Sequence, residues 1–231
     1  MINLKIFRFI GDFLAVSSRI ALIKKINQTN SLNGLSLKTQ ILYLYVYVFR
    51  YLDLFTSPFT FAKKVKENAK IGLFIYNTIF KVVYIAFQVY IIQQFFGSRK
   101  YTYSKKFDTF PITIFLCTSG VLSIFLKDST GSIFFHPFEY LKEFFYSCSL
   151  ILESLAILPQ LVIIQDSGEC EKLTAVFITC LGLYRLNYFV FFAVSKLQNA
   201  RIDSLLLVAS LVQSVLYFDF YRVYFNMIKK K

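Results

Sequence analysis

The residues of this chain best placed to do chemistry are charged side chains standing where charge is least expected. Arg50 and Asp53 lie three apart in residues 34–55, GLSLKTQILYLYVYVFRYLDLF, a stretch that becomes nearly solid Ile, Leu, Val, Tyr and Phe. Positions three apart share a helix face. The same face carries Tyr43, Tyr47 and Ser57, so a polar stripe runs through an oily segment. Other cations of this kind are Arg8, Arg19, Lys81 and Arg185, and the anions are Asp12, Glu143, Glu153 and Asp219. Charge in hydrocarbon is expensive and faces a bundle interior or a wet cavity. Arginine stays charged when buried and grips a carboxylate or phosphate bidentately. Tyr51, Tyr184 and Tyr188 stand beside the arginines as hydroxyl donors. The chemistry to expect is recognition of carboxylates, with the glutamates suited to a cationic group at the ligand's other end. A short peptide with a free C-terminus fits that description, and so does an amino acid. Internal ion pairs, such as Arg8 with Asp12, are the structural alternative.

The elements that position these residues are apolar runs. The chain has 231 residues and is 56% hydrophobic, with mean hydropathy +0.55, against about 45–50% apolar in a soluble domain. Seven runs, at 6–26, 39–56, 71–96, 110–126, 140–164, 173–195 and 204–225, are long enough, or nearly so, to cross a bilayer as helices. They use most of the chain, which predicts an all-α integral membrane protein with 1–231 as a single polytopic domain. The first run carries Arg8, Asp12 and Arg19 with no small-residue cleavage site after it, so it reads as a spanning helix rather than a signal peptide. Placing 24–38, 97–108 and the C-terminal lysines in the cytosol puts the N-terminus in the lumen.

Phe49-Arg50-Tyr51 in the second run is echoed by Tyr184-Arg185-Leu186 in the sixth, with the uncharged fourth run between the two sets of three. A parallel repeat of three helices, one connector and three helices would produce this. Transporters of the SWEET type are built so, with the site between the halves. Arg50 and Arg185 would then face one cavity.

Several classes are excluded. The net charge of +13 belongs to loops that meet anionic membrane lipid, and no nucleic-acid motif accompanies it. Cys117, Cys148, Cys170 and Cys180 form no CxxC pair and read as small core residues, while His136 alone cannot build a multi-histidine metal site. There is no GxSxG, HExxH or glycine-rich phosphate loop. Neither an enzyme nor a cofactor is expected.

Two long blocks and several short ones resemble the KDEL receptors, the ER lumen protein retaining receptors. The first is Gly34-Leu35-Ser36-x-Lys38-x-Gln40-x-Leu42-Tyr43 running into Arg50-Tyr51-Leu52-Asp53-Leu54-Phe55-Thr56-Ser57. The second is Leu152-Glu153-Ser154-Leu155-Ala156-Ile157-Leu158-Pro159-Gln160-Leu161. Phe7-Arg8 with Gly11-Asp12, Asn77-Thr78 with Lys81-Val82-Val83-Tyr84, Gly182-Leu183-Tyr184-Arg185 and Leu216-Tyr217-Phe218-Asp219-Phe220 follow in family order. The resemblance implies a seven-helix SWEET-like (PQ-loop) fold. It implies a receptor that binds the C-terminal retrieval tetrapeptide of escaped luminal proteins in the acidic Golgi, returns them by COPI vesicles and releases them in the endoplasmic reticulum. It also assigns residues. Arg50 and Tyr51 would meet the terminal carboxylate, and Arg8 and Ser57 the acidic side chains. Glu143, with Asp53 nearby and Tyr146 as the aromatic wall, would take the basic residue at position minus four. Arg185 and Tyr188 would line the site. Glu153, Tyr184 and Asp219 would belong to switching and recycling, and the lysines at 229–231 would meet the coat. Lys-Asp-Glu-Leu with its free carboxylate carries a net charge of about −2, which an arginine-rich site complements.

The chain departs from the family pattern in places. Ala15 stands where the family has a pH-sensing histidine, so Glu153 or His136 becomes the expected source of any pH response. Ser195 replaces an arginine, and Lys196 beside it points about 100° away. Extra residues fall at 58–70 and 127–142, and three terminal lysines alter the spacing of a dilysine signal. A small-solute transporter on the same scaffold is the alternative, although a sugar has no need of so many arginines. A purely structural scaffold, its charges consumed as internal ion pairs, is the third reading.

Overall fold

The computed structural model describes residues 5–55, 57–58, 61, 71–126, 137–167, 170–200 and 203–229. His136, most of the extra residues at 58–70 and 127–142, and the last two lysines lie outside the described residues. The described residues form helices α1 (Lys5–Thr29), α2 (Leu37–Arg50), α3 (Ile71–Phe96), α4 (Ile112–Leu126), α5 (Pro137–Leu155), α6 (Leu158–Ser167), α7 (Lys172–Leu197) and α8 (Ser204–Lys229). Helix α5 and helix α6 are two parts of one crossing, Pro137–Ser167. That crossing, Ile71–Phe96, Lys172–Leu197 and Ser204–Arg222 are each long and apolar enough to span a membrane.

Local chemistry explains the ends. Ser36 caps α2, its hydroxyl accepting from the Thr39 N–H. Asn30 and Asn199, just past α1 and α7, take the left-handed conformation at φ 48° and 59°, which asparagine tolerates after a helix C-terminus. Pro137 opens α5, where its missing N–H costs nothing. Pro159 accounts for the break between α5 and α6, because it cannot donate to Leu155 and its ring crowds the preceding turn.

Two spans differ from their expected course. The second stops as an α-helix at Arg50; Tyr51 leaves helical geometry and Leu52–Leu54 forms a 3-10 turn. The polar stripe of residues 43, 47, 50, 53 and 57 is therefore not one helix face beyond Arg50. The fifth is interrupted at Ala156-Ile157 rather than continuous over 140–164.

The outer surface is apolar and the interior holds the polar groups. Phe125 and Phe218 are 78% and 72% exposed, whereas Arg19, Lys25, Gln40, Gln88 and Gln160 are buried. This is the distribution a bilayer demands, since lipid is a poor solvent for backbone and charge alike. The largest interhelical contact is α1 with α7, and α2 packs on α5. Helix α2 also packs on α3, α7 on α8, α1 on α3 and α5 on α8, while α4 lies against α5. Cys148 is buried, Cys170 and Cys180 are half-buried, and Cys117 faces outward, so only one of the four sits fully in the core; all are free thiols. Burial, then Glu171 beside it, pushes the Cys170 thiol up to about 11, so it stays protonated.

Candidate functional site: an arginine-lined cavity

A cavity of about 340 Å³ opens between the start of α1, the end of α2 and the middle of α7. Its polar wall is Arg8, Asp12, Arg50, Tyr51, Tyr84, Tyr146, Tyr184, Arg185 and Tyr188. Its apolar wall is Leu150, Phe191, Phe192 and Leu206. A second cavity, of about 400 Å³, shares Arg50, Tyr51 and Tyr146 with the first and continues to Asp53, Lys81, Lys142 and Glu143. The two adjoin at this shared wall and together make a trough, with Arg50 between them.

Helix α1 supplies one side. Arg8 does not pair with Asp12; its Nη2 donates to Asn77 of α3 at 3.0 Å. Asp12 accepts from the Tyr188 hydroxyl at 2.5 Å and the Tyr76 hydroxyl at 3.1 Å. Gly11 makes this approach possible. A Cβ there would lie 2.6 Å from the Tyr188 ring, closer than any carbon contact allows.

Helix α5 supplies the charge at the centre. The Glu153 carboxylate is ion-paired through one oxygen to Arg185 and through the other, at 2.5 Å, to Arg50. Arg50 Nε also donates to the Ser149 hydroxyl at 3.2 Å, and the Arg185 guanidinium lies 4.2 Å from the Tyr184 ring centroid. The two arginines of the sequence echo therefore meet on one buried carboxylate. Arg50 Nη2 is left without a hydrogen-bond partner. Of the two glutamates expected to face a ligand cation, Glu153 lines neither cavity and is instead the tie between α2 and α7. Glu143 does line the second cavity.

The remaining expected site residues are scattered. Asp53, in the 3-10 turn, is ion-paired to Lys81. Ser57 donates to the Leu54 carbonyl at 2.8 Å and lines neither cavity. Asp219 is exposed on α8. Ala15 is buried in the core cluster. Ser195 is buried, and Lys196 donates to Ser204 at 3.1 Å away from both cavities. Sequence reasoning missed the apolar wall and Lys142. Apolar residues in an apolar helix carry no signal of which neighbour they face, but Lys142 directly before Glu143 was visible.

The opposite end of the bundle is closed by hydrogen bonds. Gln160 of α6 accepts from the Ser36 N–H at 2.9 Å, donates through its side chain to the Gly34 carbonyl at 2.7 Å, and donates its own N–H to the Thr39 hydroxyl at 3.0 Å. Asp108 accepts from the Ser36 hydroxyl at 2.9 Å, the Lys38 N–H at 3.1 Å and the Tyr103 hydroxyl at 2.6 Å. Burial, and next that hydrogen bond, pushes the Tyr103 hydroxyl far above its ordinary range, so it remains a donor. Lys25, fully buried, donates to the Asn33 carbonyl at 2.7 Å and pairs with Glu171 at 3.4 Å.

Fold and site together define a class: a helical membrane protein with an arginine-lined cavity between its helices. Comparison with known proteins narrows it. The family model described as ER lumen protein retaining receptor matches residues 31–195. An ER lumen protein-retaining receptor of Dictyostelium discoideum is 34% identical over 224 residues, 96% of this chain and 94% of that protein. Its counterpart in Drosophila melanogaster is 33% identical over 227 residues, 98% and 96% of the two chains. The Homo sapiens ER lumen protein-retaining receptor 2 is 34% identical over 227 residues, again 98% and 96%. The chain belongs to the ER lumen protein-retaining receptor family.

Proposed function

We propose that the chain is a receptor for the KDEL-type C-terminal retrieval signal of luminal proteins, and that the trough is where the signal binds. The observation that carries this is the charge balance of the first cavity. Three arginines line it against one lining carboxylate among the described residues, Asp12, which two tyrosine hydroxyls already hold; with Glu153 counted behind Arg50 and Arg185, one positive charge is still left over. Such a site favours a ligand with several carboxylates. A tetrapeptide ending in a free carboxylate supplies them at a spacing that a sugar or a single amino acid does not.

In this reading the terminal carboxylate takes Arg50 and Tyr51, on the wall that the two cavities share. Arg50 has an unpartnered Nη2 to offer. The acidic side chains lie toward Arg8 and Arg185 with Tyr188, and Ser57 joins them only by giving up its bond to Leu54. The residue at minus four enters the second cavity, beside Glu143, Asp53 and Tyr146. The ligand carboxylate competes with Glu153 for Arg50 and leaves Glu153 to Arg185, which couples occupancy to the tie between α2 and α7. Tyr184 moves with that tie; Asp219 acts on the outer face, in recycling.

The parallel repeat of three helices, one connector and three helices belongs to the same proposal. Exchanging α1 with α5–α6, α2 with α7 and α3 with α8 maps the contact α1–α7 onto α2–α5, α2–α3 onto α7–α8, and α1–α3 onto α5–α8. It also maps Arg50 onto Arg185. Cycling between Golgi and endoplasmic reticulum membranes, return in COPI vesicles through the cytosolic lysine tail, and contact of the basic loops with membrane lipid complete the reading.

The test is a binding series on the purified chain. A tetrapeptide with a free carboxylate should bind. Its C-terminal amide should lose roughly 2–5 kcal/mol, or about 30-fold or more. Equal binding of the two, or no binding of either, sinks the proposal.

A further inference from the structure

Arg19 lies on α1 about three turns beyond Arg8. It is 1% exposed, yet no carboxylate among the described residues pairs with it. Its Nη2 donates to the Tyr47 hydroxyl at 2.7 Å. Its guanidinium carbon sits 4.4 Å from the Tyr43 ring centroid, and 5.7 Å and 5.8 Å from those of Tyr47 and Phe177. Its Nε and Nη1 have no hydrogen-bond partner. A buried arginine normally faces an acid or a wet cavity. This one lines neither cavity and faces aromatic rings instead.

Its one directional bond has a definite target. The Tyr47 ring lies parallel to Tyr51, with centroids 5.8 Å apart and planes at 3°. It also stacks on Tyr84 of α3, at 5.8 Å and 17°. Tyr51 and Tyr84 are walls of the first cavity. The spacing of four from 43 to 47 puts the two tyrosines of α2 on one face, toward Arg19. A chain of contacts thus runs from guanidinium to hydroxyl to stacked rings to cavity wall, and crosses three helices.

We propose that Arg19 is a positioning residue for ligand binding: by orienting Tyr47 it holds Tyr51 and Tyr84 in place against the ligand, a role that rests on the ligand reading given above. An apolar side chain of similar length would fill the same space without two unpartnered N–H groups. The guanidinium therefore acts on orientation and not on stability, and the two are separable by experiment.

The experiment compares wild type, Arg19→Met, Arg19→Lys, Tyr47→Phe and the double variant Arg19→Met/Tyr47→Phe as full chains in detergent. Affinity for the free-carboxylate tetrapeptide, the melting temperature and the near-ultraviolet circular dichroism are read together. The chain has 16 tyrosines and no tryptophan, so tyrosines dominate that spectrum. Arg19→Met should weaken binding on the order of tenfold, as loss of an orienting group does, with a melting temperature equal to or above wild type. Tyr47→Phe should match it, the double variant should lose no more than either single one, and Arg19→Lys should recover part of the loss. Arg19→Met, which removes no tyrosine, should change the tyrosine spectrum. Unchanged affinity in Arg19→Met, a loss that only tracks melting temperature, or fully additive losses would overturn the proposal. Should wild type bind no tetrapeptide, the ligand reading falls by itself. The spectrum of Arg19→Met then decides: a change upholds the coupling of Arg19 to the tyrosine stack, and none overturns it.

Discussion

At one end of the bundle Gln160 and Asp108 gather backbone and hydroxyl partners from α2 and two loops. Some 20 Å along α2, Glu153 holds two arginines and Arg50 keeps a nitrogen unpartnered. The first end is mostly neutral donors meeting neutral acceptors, around Asp108 with three donors of its own and beside the Lys25–Glu171 pair. Its groups already have their partners, and exchanging them gains nothing. The second end is built of full charges in a low-dielectric interior, where one carboxylate serves two cations. A second carboxylate arriving there has something to displace and something to gain. The difference teaches where each end's stability comes from: hydrogen bonds that close the bundle at one, an ion triad that a ligand can rearrange at the other.

The largest way to break that contrast is Glu153→Leu. It leaves Arg50 and Arg185 facing one another without a counter-charge, and should destabilise the chain by about 3–5 kcal/mol. Thermal melting in detergent reads it, and a near-wild-type melt would remove Glu153 from the centre of the site. Arg50→Ala should cost roughly 2–5 kcal/mol of tetrapeptide binding while the chain stays folded. Retained affinity would move the carboxylate site elsewhere in the trough. At the closed end, Gln160→Ala removes two side-chain bonds and leaves the Ser36 N–H and the Gly34 carbonyl unpaired. A loss of roughly 2–3 kcal/mol in stability should come with little change in affinity; a large affinity change would show that the two ends are coupled. Gly11→Ala forces the Tyr188 ring away from Asp12 and should lower stability by about 1–3 kcal/mol, with weaker binding beside it. The smallest effect is expected of Ser57→Ala, within about 0.5 kcal/mol in stability and in binding. A larger binding loss would bring Ser57 into the trough.

Much of the site was legible because charge in an apolar helix has so few permitted surroundings. Arg8, Arg50, Arg185, Tyr51, Tyr184 and Tyr188 were singled out by type and position, Tyr146 only through the family resemblance, and all line the first cavity. Pairing was not legible. Arg8 turns to Asn77 and not to Asp12, four residues along its own helix, because α3 presents an amide on that side. Asp53 and Ser57 were placed on a helix face that ends at Arg50. Glu153, suited by type to a ligand cation and assigned to switching by the resemblance, faces two arginines.

The sequence by itself determined the all-helical class, through composition and periodicity, and the family, through blocks of residues that resemble it; it also marked most of the charges set among apolar residues, although Lys25 and Asp108 are buried without having been singled out and Asp219 is exposed. Only the tertiary structure decided which charge meets which, that the two cavities adjoin at Arg50, that Leu150, Phe191, Phe192 and Leu206 wall the first of them, and that Arg19 rests on tyrosines. These are contacts between helices far apart in the sequence. They depend on the rotation and depth of one helix against another, and apolar spacing leaves both undetermined.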